Sequence, residues 1–152
     1  MARSKKKSPV AIEALTTEQQ FRDAVALQKT IWGFDEIELV PVRLFVVATK
    51  VGGQVFGAYS DGRLVAFCLA LPGLKPGPKS FLHSQMLGVL PEYQGRGIDA
   101  LMYYHTAIEC EKCGIRRGEA SWVLEDNTMM NRAAELMNAE KYKTYRIYEM
   151  PV

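Results

Sequence analysis

The sequence predicts an α/β (α+β) fold in which helices cover the faces of a mixed central sheet. Two observations carry this prediction. Short runs rich in β-branched and aromatic residues alternate with segments whose apolar residues follow helical spacing, in the order β, α, α, β, β, β, α, β, α, β. The sequence Ser60-Asp61-Gly62 separates two of the β-rich runs, which is a hairpin signal and places an antiparallel pair in the sheet.

Boundary signals define the elements of the first half. Within residues 16–20, a threonine followed by an acid and two glutamines is typical of a helix start, and Gly33 is typical of a helix end. A second helix opens at Pro41, because proline suits the first helical turn, and Gly52-Gly53 breaks it. The predicted elements are a strand at 10–15, helices up to residue 32 and over 41–50, and two strands within QVFGAYSDGRLVAFCLAL.

The second half begins with a loop and ends with a strand. The segment PGLKPGP, residues 72–78, contains too many prolines to continue a strand. Gly114 closes the helix that follows a glycine-rich turn. The remaining predicted elements are strands at 81–89, 118–124 and 142–150, and helices over 98–114 and 128–139.

Length and charge favour one domain, residues 10–152, preceded by a disordered basic tail, residues 1–9. The chain has 152 residues, enough for one hydrophobic core. The net charge is +2, yet the tail alone carries four positive charges, so the remaining 15 Lys and Arg face 17 Asp and Glu. The tail lacks the interleaved aromatic and glycine residues of many nucleic-acid binders, which disfavours that class of protein.

The sequence contains neither a long uncharged apolar segment nor the apolar centre of a secretory signal, so we expect a cytoplasmic protein that does not enter a membrane. Cys68, Cys110 and Cys113 are expected to be free thiols, because a chain of this size does not need disulfides. Cys110 and Cys113 are interpreted as neighbours on a helix. No second cysteine pair or histidine pair completes four ligands, so we expect no metal.

The most informative stretch is LPEYQGRGIDALMYY, residues 90–104. Its glycines let the chain pass from a strand into a helix through a tight turn, in which successive backbone N–H groups converge. The helix N-terminus adds about half a positive charge. The stretch therefore predicts an anion-binding turn. It is neither a Walker loop, which needs Gly-Lys followed by Ser or Thr, nor a G-x-G-x-x-G dinucleotide fingerprint.

This stretch resembles the acetyl-CoA signature of the GCN5-related N-acetyltransferase (GNAT) superfamily, whose core is Gln/Arg-x-x-Gly-x-Gly/Ala. The order of elements is similar to that fold, which implies a mostly antiparallel sheet with helices on both faces and acetyl-CoA as the acyl donor. The resemblance assigns the pyrophosphate-binding amides to Gln94, Gly95, Arg96, Gly97 and Ile98, and contacts with the pantetheine arm to Leu87 and Val89.

Two further positions are interpreted through the resemblance. Asp99 occupies the place of the last Gly or Ala of the signature, and we expect its carboxylate to point away from the phosphate site, where the helix N-terminus stabilises it. Asn127 resembles the asparagine that many members direct at the CoA arm. A helix cap is the alternative role for Asn127.

His83 is the first candidate for the base that accepts the proton of the attacking amine. An unperturbed imidazole titrates near neutral pH, and the position resembles that of the glutamate of histone-acetylating members. Simple alternation along the strand places His83 on the same face as Leu87 and Val89. A hydrogen-bonded structural histidine is the alternative. Glu119 on the following strand is the second catalytic candidate, with a solvated carboxylate as its alternative, and the general acid is unassigned.

The resemblance implies an acetyl-CoA-dependent N-acyltransferase in which an acceptor amine attacks the thioester directly. The acceptor is a small-molecule or peptide amine, and its identity stays open. The alternative is a catalytically inactive CoA-binding or regulatory module of the same fold. Since only one predicted strand follows the last helix, where the family usually has two, a homodimer is one way to complete the sheet.

Overall fold

The structure of the chain, a computed structural model, contains one five-stranded sheet. It describes residues 8–73, 81–146 and 148–150, and for residues 81–85 the backbone alone. The strands lie in chain order, antiparallel from the first to the fourth, while the fourth and fifth are parallel. They are β1 Ala11–Ala14, β2 Gln54–Ser60, β3 Arg63–Gly73, β4 Phe81–Val89 and β5 Gly118–Ala120. The predicted mixed, mostly antiparallel sheet is confirmed.

The first helix begins and ends at the predicted signals. Thr17 caps the first helix: its side chain accepts a hydrogen bond from the N–H of Gln20, and the Gln20 side chain accepts from the N–H of Thr17. Gly33 ends this helix in the left-handed conformation, with φ of 70°. The helices are α1 Glu18–Trp32, α2 Val42–Lys50, α3 Ile98–Lys112 and α4 Thr128–Leu136, with a 3₁₀ turn at Pro91–Tyr93.

The β2–β3 hairpin has the turn that the sequence predicts. Asp61 and Gly62 form a two-residue loop, and both have positive φ, 51° and 75°. Turns of this kind match the right-handed twist of the paired strands. The hairpin fixes the register of the two central strands, and thereby the faces on which their side chains lie.

Helices cover both faces of the sheet because the central strands are apolar on both sides. Alternate residues of β3 enter two clusters: Phe67 and Leu69 pack with helices α1 and α2, whereas Ala66 and Cys68 pack with α3. Burying a side chain such as Phe67, which is fully buried, contributes about 1.5–3 kcal/mol. This arrangement fixes α3, and with it the glycine-rich turn, at one end of the sheet.

The prediction of a loop from residue 72 is wrong at its start. Pro72 and Gly73 continue β3 and pair with Leu82 and Phe81 of β4. The pairing of β3 with β2 ends at Ala70, so at Pro72 the strand β3 has β4 as its one neighbouring strand. The N–H that proline lacks therefore breaks no hydrogen bond on the side of β2. Residues 74–78 of the predicted loop lie outside the described residues, as do residues 1–7 of the tail.

The end of the chain also differs from the prediction. β5 ends at Ala120 and α4 at Leu136, and residues 142–146 and 148–150 form no strand. An alternating pattern specifies a strand only where a partner backbone accepts its hydrogen bonds. The chain divides into two compact units, one ending at Ser121 and one beginning at Trp122. In the second unit, Trp122 stacks on Tyr145 with ring centroids 6.4 Å apart.

Candidate functional site

The glycine-rich turn connects the end of β4 to the start of α3. After the 3₁₀ turn, Gly95 and Gly97 both have positive φ, 67° and 74°, and Gly97 is the N-cap of α3 without a side-chain capping bond. Left-handed backbone is readily available only to glycine, so the two glycines are required by the path of the chain. The predicted strand–turn–helix unit is confirmed.

The space around both glycines is open. A Cβ atom built on Gly95 or Gly97 would meet no atom within 4 Å, so neither position is a glycine because of packing. The turn borders a cavity of about 530 Å³. The residues that line this cavity are Ser8, Val10, Gly95, Arg96, Gly97, Ile98 and Leu101. A ligand can therefore approach the backbone of the turn directly.

The backbone N–H groups of the turn have the chemistry of an anion site. In the described part of the chain, the N–H groups of Gly95, Arg96 and Gly97 make no hydrogen bond. Ile98 is the first residue of α3, so its N–H has no acceptor within the helix. Gln94 differs, because its N–H donates to the carbonyl of Pro91 at 3.2 Å. Four of the five predicted amides are thus available to a phosphate group.

Gln94 stabilises the turn through its side chain. Its Nε2 donates to the carbonyl oxygen of Val89 at 3.1 Å, which ties the turn to the end of β4. Asp99 is half-buried in the first turn of α3 and is not among the residues that line the cavity. The direction of its carboxylate stays a prediction.

One edge of β4 is open next to the turn. β5 pairs with β4 only at residues 82–84, so residues 85–89 have no strand neighbour on that side within the described chain. The N–H of Leu90 donates to Val65 of β3 at 2.9 Å. The N–H and C=O groups of successive residues face opposite sides of a strand. The groups of Gly88 therefore face β3, like those of Leu90, and the groups of Leu87 and Val89 face the open edge. Leu87 therefore presents its N–H and C=O groups to the open edge, whereas Val89 presents its N–H, because its carbonyl accepts the hydrogen bond from Gln94.

The backbone brings the two catalytic candidates together. His83 and Glu119 are register partners on the parallel strands β4 and β5, and His83 also pairs with Leu71 of β3. The side chain of His83 lies outside the description. The register shifts between Leu69 and Ala70, so the simple alternation that related His83 to Leu87 and Val89 is interrupted. The catalytic role of both residues stays a prediction.

Asn127 is the N-cap of α4, and its Oδ1 accepts a hydrogen bond from the N–H of Met130 at 3.1 Å. The capping alternative is thus observed. Cys68 lies in the core between β3 and α3, and burial raises the pKa of its thiol to about 11. A thiol with so high a pKa remains protonated at neutral pH, which agrees with its interpretation as a core residue. The three cysteines are free.

The described residues contain neither a metal-binding cluster nor a membrane-spanning helix. No group of three or more His, Cys, Asp or Glu side chains in the described ranges is arranged to hold a metal ion. None of the described helices combines the length and apolar composition needed to cross a membrane.

Comparison with known proteins identifies the class. The model of the acetyltransferase (GNAT) family matches residues 17–138, which include β2 to β5 and the turn. The chain therefore belongs to the acetyltransferase (GNAT) family, and its class is that of the N-acetyltransferases. The resemblance seen in residues 87–98 is confirmed.

A curated relative shares part of its sequence with the chain. It is a bacterial ceramide synthase from Caulobacter vibrioides, which is 31% identical over 128 residues, or 80% of this chain and 33% of the relative. Protein YghO of Escherichia coli is 38% identical over 71 residues, 44% of this chain and 18% of that protein. The chain thus spans a third or less of the length of these relatives.

Solved structures share the fold. An aminoglycoside 6'-N-acetyltransferase from Acinetobacter baumannii superposes with a TM-score of 0.73 at 19% identity, covering 95% of this chain and 99% of that one. A related aminoglycoside acetyltransferase, in complex with a bisubstrate analogue containing CoA, gives a TM-score of 0.72 at 16% identity, covering 95% and 100%. At such identities the similarity is one of fold.

Sequence reasoning missed three residues that line the cavity: Leu101, one turn into α3, and residues 8 and 10. Residues 8 and 10 precede the first strand and lie far from the signature in sequence, yet they line the cavity at the turn. No motif marks them, because their contact with the turn depends on the pairing of β1 with β2.

Proposed function

We propose that this protein transfers an acetyl group from acetyl-CoA to an acceptor amine by direct attack of the amine on the thioester. The observation that carries the proposal is the continuity of two features. The free N–H groups of the turn suit a diphosphate, and the open edge of β4 next to it suits the amide groups of a pantetheine arm.

In this reaction the amine nitrogen bonds to the thioester carbonyl carbon, the carbon–sulfur bond breaks, and the thiolate receives a proton. The turn contributes by fixing the diphosphate, and the main chain of β4 contributes by aligning the arm along its open edge. Backbone N–H donors stabilise the negative charge that develops on the carbonyl oxygen. His83 takes the proton of the amine, and Glu119 is the second candidate for that role.

The acceptor is a small-molecule or peptide amine, and a cationic one is favoured by charge. The connector between α1 and α2 contains three acids, of which Glu36 binds Lys29 and Glu38 accepts a hydrogen bond from the N–H of Asp35 at 2.9 Å. Because Lys29 compensates the charge of Glu36, the exposed carboxylates of Asp35 and Glu38 are the ones that attract a protonated amine at low ionic strength.

The test combines binding with turnover. Calorimetry measures acetyl-CoA affinity, and a thiol-release assay measures turnover with a panel of amines: an aminoglycoside, a peptide with a free N-terminus, a polyamine and the amine precursor of a ceramide. Binding with acetylated product from at least one amine supports the proposal. Binding without turnover for any amine favours the inactive CoA-binding module. Absence of binding contradicts both.

A further inference from the structure

Arg96 is held from two sides. Its Nη2 donates to the backbone carbonyl of Ser8 at 2.9 Å, and its guanidinium carbon lies 5.0 Å from the centre of the Tyr93 ring. Both contacts restrict a side chain that is flexible when exposed. Arg96 is half-buried and lines the cavity together with the two glycines on either side of it.

The topology brings residues 8–10 to the turn. The four strands β1 to β4 are antiparallel neighbours. The first residue of β1 and the last residue of β4 therefore lie at the same end of the sheet. Val10 packs against the cluster beneath α3, which fixes the chain just before β1. Pro9 restricts Ser8 to extended backbone and so limits the directions that the Ser8 carbonyl can take.

We propose that residues 8–10 form one wall of the diphosphate site and hold Arg96 in the orientation that binds the diphosphate of the cosubstrate. This inference rests on the proposed function. A guanidinium has five N–H donors, and the bond to Ser8 uses one, so donors remain for phosphate oxygens. Arg96 is thus a binding residue, and the segment before β1 is its positioning element.

The experiment is a double-variant cycle measured by calorimetry with CoA, with ADP as a minimal diphosphate ligand, and with pantetheine, which lacks the diphosphate. The variants are Ser8→Gly with Pro9→Gly, Arg96→Ala, and all three together. Asp61→Gly is the matched control, because it introduces a glycine in the β2–β3 turn, at a residue that does not line the cavity. A second control replaces Lys5, Lys6 and Lys7 by Gln and tests whether the charge of the tail acts by itself.

We expect the variant with glycine at positions 8 and 9, the Gly-Gly variant, to bind CoA and ADP about fivefold more weakly. Its more flexible backbone loses conformational entropy when the ligand binds, at a cost equal to ordering about one residue. Arg96→Ala weakens both ligands about tenfold, and adding the Gly-Gly change weakens them no further. In these variants the pantetheine affinity and the thermal midpoint stay at wild-type values. Both control variants bind CoA and ADP as tightly as the unmodified protein.

Other outcomes overturn the inference. The inference is wrong if the Gly-Gly variant binds CoA as tightly as the unmodified protein or more tightly. It is also wrong if the Gly-Gly change weakens CoA binding equally when Arg96 is already Ala, or if it weakens pantetheine binding in parallel. Loss in the lysine variant would assign the effect to tail charge. Failure of the proposed function is distinct, because the unmodified protein would then either bind neither CoA nor ADP or bind CoA without acetylating any amine.

Discussion

Gly88 and Gly97 lie nine residues apart and are glycines for opposite reasons. A Cβ on Gly88 would lie 2.7 Å and 2.8 Å from ring atoms of Trp32 and 2.9 Å from Ile31, whereas a Cβ on Gly97 would meet nothing within 4 Å. Gly88 makes room for the helix α1 to pack on β4. Gly97 provides a left-handed backbone beside open space. The difference shows that β4 belongs to the core, while the turn that follows it leaves its backbone accessible.

Replacing Gly97 by Val is expected to weaken CoA binding about a thousandfold, because the side chain blocks several charge-assisted hydrogen bonds to the diphosphate. Gly62→Val is the matched control: Gly62 has nearly the same φ, 75°, and equally open surroundings, but it lies in the β2–β3 turn. Both variants lose stability through backbone strain, and only the first loses CoA affinity in calorimetry. Equal affinities would remove the turn from the site.

The opposite end of β4 provides a second contrast, between binding and catalysis. His83→Ala is expected to lower kcat about a hundredfold, since a positioned base contributes at least that much, while CoA affinity stays within twofold. A general base acts in its neutral form, so the rate of the unmodified enzyme falls when the pH is lowered enough to protonate it, and the variant loses this dependence. His105→Ala is the control, because His105 lies on α3 in contact with Phe56 and Tyr104. A normal pH–rate profile in His83→Ala would exclude it as the base.

Gly88→Val is expected to destabilise the protein by about 2 kcal/mol, because the new side chain displaces Trp32 from β4. Chemical denaturation measures the free energy of unfolding. Adding Trp32→Ala creates room, so the double variant should be more stable than the sum of the two single effects predicts. Strict additivity would show that Trp32 does not confine Gly88.

The smallest effect is expected at Leu87. If the backbone of the open edge binds the pantetheine arm, Leu87→Ala changes CoA affinity less than about threefold, whereas Leu87→Pro removes an N–H and weakens binding about tenfold. Val89 offers the same comparison. Similar losses in the Ala and Pro variants would indicate that the side chain, and not the main chain, forms the contact.

Local signals predicted the elements on which the site depends. The bounds of β4 agree at both ends, α1 begins at the threonine cap and ends at Gly33, and the glycine turn leads into α3 at Ile98. These features depend on capping, glycine conformation and hydrophobic period, all of which act over a few residues. The strand expected at residues 142–150 was wrong because its pattern could not supply a pairing partner.

The sequence by itself determined that a strand, a glycine turn and a helix N-terminus would expose backbone N–H groups for an anion, because proline, glycine and apolar period act locally. Only the tertiary structure decided which edge of β4 is open, where its register shifts, and that Ser8 meets Arg96 across the end of the sheet. Those features arise from pairing between segments distant in the chain, and no residue pattern within either segment encodes the partner.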